Sequence, residues 1–159
     1  MATILSPFTK GTRSTKYGDC AGDSVVNHFY ADLTAAQVAA GNIVDIGILP
    51  AGHTVVDSVL VPDDLDTNGS PTITLDVGIM SGTPGDDTSV RTCGAELFSA
   101  STAAQGGTPT RMSAKTGFLI PSVGYDRSIG VKINAGAATA AAGRVRVLVT
   151  MAPSDGNQF

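Results

Sequence analysis

The feature that most constrains this chain is a period-two alternation of apolar and polar residues that returns in short stretches. It is clearest over residues 72–80, where Ile73, Leu75, Val77 and Ile79 alternate with Thr72, Thr74, Asp76 and Gly78. Successive side chains of a strand point to opposite faces, so the pattern predicts a strand with one buried face. The same alternation sets Val44, Ile46 and Ile48 against Asp45 and Gly47, and Ile129, Val131 and Ile133 against Gly130, Lys132 and Asn134. A last run sets Val145, Val147, Val149 and Met151 against Arg144, Arg146 and Thr150, and only Leu148 interrupts it. Residues 25–33 and 53–61 read as further strands, with weaker candidates at 110–116 and 118–120.

Between these stretches lie turn and loop signals. Thr34 can cap one helical turn that runs through Ala40 and ends at Gly41, and residues 94–100 read as a short helix. Residues 81–91 and 101–109 read as loops. The small-residue stretch 134–143 (NAGAATAAAG) is either a long hairpin tip or a contact loop. The 19 Gly and 8 Pro supply frequent turns, and with 42% hydrophobic and 15% charged residues the chain is too apolar for a disordered tail. A length of 159 residues suits one core. Seven or eight short strands then give an all-β, two-sheet sandwich of the jelly-roll kind over residues 25–159. An immunoglobulin-like sandwich fits less well, because the chain has no tryptophan. Residues 1–24, polar and without sustained periodicity, are expected to form an extended N-terminal arm.

The net charge of −4 lacks the basic footprint of a nucleic-acid binder, but it is unevenly placed. Residues 1–18 carry Lys10, Arg13 and Lys16 and no acid, whereas the remainder carries seven bases against fourteen acids. A positive arm on a negative body suggests an acidic partner or a neighbouring copy, with Ile4, Leu5, Pro7 and Phe8 as apolar anchors; a solvated tail is the plainer alternative. No apolar run is long enough to span a membrane, and the first residues do not read as a secretory signal, so folding in a cytoplasm is expected. There Cys20 and Cys93, which lack metal or redox spacing, are expected as two reduced thiols, with one disulfide as the alternative.

No candidate chemistry is well supplied. Gly22-Asp23-Ser24 is similar to an esterase serine block, but the chain's histidines, His28 and His53, lie in the wrong order for that triad. Two histidines and one glutamate, Glu96, make a poor metal set. Asp64-Leu65-Asp66-Thr67-Asn68-Gly69 matches the opening of a calcium loop, yet its twelfth position is Leu75 where a bidentate glutamate is needed. The same residues serve a tight connection between strands, which is the favoured reading. Gly106-Gly107 lacks the lysine of a phosphate loop, and Tyr17, Tyr30 and Tyr125 with the phenylalanines offer little for sugar or base stacking. No catalytic residue, metal or cofactor is expected.

Residues 46–82 and 128–151 carry a more specific pattern. An aliphatic strand runs into the Leu49-Pro50-Ala51-Gly52 turn, a second leads to the Asp/Asn/Gly connection at 63–69, and a third closes on Val77-Gly78. The stretch SIGVKINAGAATAAAGRVRVLVTM follows as a closing hairpin with an Ala-rich tip. This order resembles the small head decoration, or cement, proteins of tailed bacteriophages. The resemblance implies a non-enzymatic β-sandwich of the virion, made in the bacterial cytoplasm and trimeric, seated outside the capsid across contacts between major capsid subunits. In that setting Ile4, Leu5, Phe8, Lys10, Arg13 and Lys16 would touch a capsid subunit or an adjacent protomer. A tail or fibre accessory protein, a carbohydrate-binding sandwich and, more remotely, a small hydrolase are the alternatives.

Overall fold

Each alternating stretch is a strand, and the strands fall into two sheets. The computed structural model describes residues 2–17 and 23–154. Its strands are β1 (Thr3–Leu5), β2 (Val25–Leu33), β3 (Ile43–Leu49), β4 (His53–Pro62), β5 (Thr74–Ile79), β6 (Phe98–Ser101), β7 (Thr110–Arg111), β8 (Arg127–Ala135) and β9 (Gly143–Pro153), with one helical turn, α1 (Lys115–Phe118). One sheet has the order β1-β3-β8-β5-β6 and the other β2-β9-β4-β7. With β2 to β9 counted as eight strands, these orders read 2-7-4-5 and 1-8-3-6, the interlocked Greek keys of a jelly roll. The expected all-β sandwich is therefore the fold.

The core sits between the two inner faces. Ile129, Val131 and Ile133 of β8 and Val145, Val147, Val149 and Met151 of β9 are all completely buried, as the alternation predicts. Burying each such side chain contributes about 1.5–3 kcal/mol. Phe29 of β2, Ile46 and Leu49 of β3, Leu60 of β4 and Leu75 and Val77 of β5 complete the same cluster. Thr34 precedes a 3-10 turn over Ala35–Gln37, where the Gln37 side chain accepts the Thr34 backbone N–H at 2.9 Å.

Several expectations need correction. In β3 the register against β8 shifts between Asp45 and Gly47, so alternation is broken there. Leu49 turns into the core while Ile48 is only half-buried, and Asp45, expected on a polar face, is completely buried. Residues 94–100 do not form a helix. Phe98–Ser101 is instead the edge strand β6, because pairing with β5 outweighs a weak local preference. The candidates at 110–116 and 118–120 reduce to the two-residue β7 and to α1. Nor do β8 and β9 form a hairpin: they belong to different sheets, and residues 136–142 cross between them.

The N-terminal segment packs against the sandwich. β1 pairs parallel with β3, and Phe8 packs edge-on against Phe29 at 5.0 Å and Tyr30 at 5.8 Å between ring centres. Thr15 is buried, and the Asn27 side chain exchanges hydrogen bonds with the Lys16 backbone at 2.9 and 3.1 Å. The segment lies along the open side of the sandwich, because its apolar residues find there the burial that solvent denies them.

Candidate functional site

The outer faces of the two sheets have opposite characters. On the five-stranded sheet, the segment from Ser81 to Leu97 folds back over the strands. Its anchor is Arg91, only 1% exposed, whose Nη1 donates to Asp45 Oδ2 at 2.5 Å. Arg91 Nη2 donates to Ser128 Oγ at 2.7 Å, and that hydroxyl donates to Asp45 Oδ2 at 2.9 Å. The Gly85 N–H reaches the same oxygen at 3.1 Å, and Arg91 Nε donates to the Ser81 carbonyl at 2.7 Å. A buried ion pair of this kind costs least with its hydrogen bonds made; the guanidinium is bonded through every nitrogen, while Asp45 Oδ1 is buried without a hydrogen-bond partner among the described residues.

Two glycines make room for that cover. A Cβ on Gly78 would run into the Glu96 carboxylate and the Gly94 backbone, and one on Gly130 would lie 2.5 Å from the Met80 side chain and 2.9 Å from Cys93 Sγ. Glu96 in turn accepts the Ile79 N–H at 3.0 Å. Cys93 is a free thiol whose pKa burial pushes up to about 12, so it is inert as a nucleophile at neutral pH. The N-terminal segment joins the same node: the Ser6 N–H and the Thr9 hydroxyl both donate to the Asp45 carbonyl, at 2.9 and 2.8 Å.

The four-stranded sheet has no such cover among the described residues. Register places Val26 beside Thr150 and Thr150 beside Asp57, then His28, Leu148 and Val59 in the next row, and Tyr30, Arg146 and Val61 in the one after. Val56, at a register shift in β4, is 46% exposed, and Val26 is 54% exposed. Val59, Val61 and Leu148 are half-buried. Charged pairs frame this apolar strip: Arg144 with Asp32, Arg146 with Asp63, and Arg111 with Asp57, at 2.6–2.9 Å. Arg13 and Arg144 lie 5.4 and 4.6 Å from the Tyr30 ring centre. A shallow groove of about 300 Å³ opens at the corner of β2, lined by Phe8, Arg13, Lys16, Val26 and His28 among others.

The anticipated contact residues divide between these surroundings. Ile4 and Leu5 are half-buried in β1, and Phe8 belongs to the core, so Phe8 is not available as an anchor for another molecule. Lys10, Arg13 and Lys16 are exposed, and among the described residues none of them is ion-paired. The calcium-like residues work as a connection. Both carboxylate oxygens of Asp66 accept backbone N–H groups, from Thr72, Ile73, Ala138 and Thr139 at 2.7–3.2 Å, which ties the Ala-rich crossing to the turn. Burial raises the Asp66 pKa, but those four N–H groups outweigh it and hold the carboxyl below the usual carboxylate range. Asp64 and Asn68 accept the N–H two residues on.

Asp23 and Ser24 are exposed ahead of β2, while Gly22 and Cys20 lie outside the described residues. His53 is buried with Nδ1 2.9 Å from the Ala51 carbonyl, and His28 is exposed on the bare face. Nothing in the sequence pattern marks Asp45, Arg91 and Ser128 as one buried cluster. The alternation does mark Leu148, the apolar residue out of phase in β9.

Among solved structures, the chain is similar to one in the capsid of Ralstonia phage GP4, with 45% identity over 96% of this chain and 99% of that one and a TM-score of 0.92. It is also similar to a chain of the cyanophage Pam1 capsid asymmetric unit, with 30% identity over 89% and 91% and a TM-score of 0.67. A chain of the acidic stable capsid structure of Helicobacter pylori bacteriophage KHP30 shares the fold alone, at 14% identity, 83% and 94% coverage and a TM-score of 0.53. No protein-family model and no curated protein matches the chain.

Proposed function

The chain belongs to a family of phage capsid proteins, and on that footing we propose that it is a decoration protein, bound to the outside of the shell across contacts between major capsid subunits. The observation that carries this reading is the 45% identity to a chain of a phage capsid over nearly the full length of both. The architecture supports it. A jelly roll whose one outer face is sealed by its own loop presents a single bare sheet face for attachment, which suits an accessory seated on a shell. Its role is structural and not enzymatic, in keeping with a half-buried, inert Cys93 and histidines on separate strands.

In this reading the protein is made in the host cytoplasm and adds to the shell as a trimer, since repeated weak contacts on one assembly gain by effective concentration. Lys10, Arg13 and Lys16 supply attraction to the acidic surface of a capsid subunit or an adjacent protomer, with Ile4 and Leu5 as partly covered apolar contacts. Protein analysis of purified virions tests the reading, combined with binding of the purified protein to shells that lack it. The protein is expected in mature particles and on the shells, released by mild treatment that leaves the shell closed. Its absence from particles would overturn the reading, and release only on dissolution of the shell would make it a shell-forming subunit instead.

A further inference from the structure

We infer that the outer face of the four-stranded sheet is the docking surface, and that it takes an apolar patch with an acidic rim on a shell subunit; this rests on the decoration reading above. An antiparallel sheet with one wet face alternates apolar inward and polar outward. The outward positions here depart from that rule in adjacent rows: Val26 on β2, Leu148 on β9, and Val56, Val59 and Val61 on β4. Leu148 and Val59 are direct neighbours, Val61 and Val56 extend the patch along β4, and Val26 lies diagonally from Leu148 beside Thr150; scattered single apolar residues would need no explanation.

Charge then specifies the partner. The cations beside the strip, Arg111, Arg144 and Arg146, are already neutralised by Asp57, Asp32 and Asp63 of the same chain. The cations without an ion pair among the described residues at this face are Arg13 and Lys16, which line the groove at the corner next to Val26. A docking surface with its own pairs satisfied and two free positive charges at one corner is complementary to an apolar surface that is negative at the matching corner. A second copy offering this same face would instead have to bring its own free Arg13 and Lys16, and its own Val26 corner, into a symmetric contact without added carboxylates. The strip is also modest. Strands about 4.8 Å apart and about 3.3 Å per residue make three nine-residue strands roughly 400 Å² in area, about half of what one partner contributes to a standard interface. The basic segment beside β2 has to take part for the contact to be stable.

The test compares three full-length variants with the unaltered protein in co-sedimentation with cognate phage shells that lack it. Val26→Glu combined with Val56→Glu changes exposed side chains only, so circular dichroism and Tm should stay close to those of the unaltered protein, while shell binding weakens about tenfold or more. Arg13→Glu combined with Lys16→Glu should weaken binding and reverse its salt dependence, so that added salt restores part of it. Val90→Glu, on the loop that covers the other sheet and 86% exposed, should bind as the unaltered protein does. Unchanged binding by the valine pair, or loss of binding by Val90→Glu alone, overturns the inference. So does a shift of the valine pair from oligomer to monomer in light scattering with shell binding intact, because the face would then join copies of this chain. If the unaltered protein itself fails to bind shells and is missing from virions, it is the decoration reading that falls.

Discussion

The two outer faces of the sandwich solve the same problem in opposite ways. Over the five-stranded sheet the chain returns on itself, and a buried ion pair, Asp45 with Arg91, seals the layer. Over the four-stranded sheet the ion pairs are partly or largely exposed, and no described segment folds back over the apolar residues beside them. A buried pair ties covering to stability, since removal of one partner strands a charge in the interior. Exposed pairs contribute about 0–1 kcal/mol each and can be rearranged by a partner at little cost. One face is thus committed to the fold, and the other is free for a neighbour.

The sharpest way to break this contrast is Arg91→Ala. Asp45 would remain buried without its counter-charge, and the expected loss is about 3–5 kcal/mol in urea denaturation. A loss below 1 kcal/mol would mean that the cover does not hold as described. Gly130→Val comes next. The added side chain meets Met80 and Cys93, so the expected cost is about 1–3 kcal/mol, with faster protease cleavage inside residues 81–91. Unchanged cleavage would show that the cover does not need the glycine.

A smaller effect at ordinary pH, but a steep one in acid, is expected from Asp66. Its folded pKa is below the ordinary 3.8, so its contribution is fully present above that value and is lost as pH falls through the folded value. Thermal melts should therefore be flat with respect to this group above about pH 5 and fall below pH 4, and Asp66→Asn should flatten the fall. The smallest effect belongs to the bare face. Val26→Glu should change stability by no more than about 0.5 kcal/mol in the same urea titration, since its side chain is more than half exposed.

Much of the fold was legible because burial and alternation coincide. In β8 and β9 the completely buried inward residues, Ile129, Val131, Ile133, Val145, Val147, Val149 and Met151, are all apolar, and strand, register parity and buried face follow from the pattern. Leu148 was legible as an exception, although alternation says nothing of whether the outer face it marks is covered. Asp45 was not legible: an acid in phase with solvent looks polar-out, and its partner stands 46 residues away on a loop. The β3 bulge compounded this by moving Leu49 inward in place of Ile48. Residues 94–100 misled for a related reason, because the strand state of Phe98–Ser101 is set by β5 and not by its own composition. The Asp66 turn was readable from its spacing, while the N–H donors at Ala138 and Thr139 come from a distant stretch that only the fold brings near.

Whether the four-stranded face docks on the shell is read by hydroxyl-radical footprinting of the protein free in solution and on intact virions, side chain by side chain. The bare-face account predicts that oxidation of Val26, Val56 and Leu148 falls sharply on the particle while Val90 and Tyr125 are modified as in the free protein. Protection of Val90 and Tyr125 with Val26, Val56 and Leu148 still reactive would contradict it.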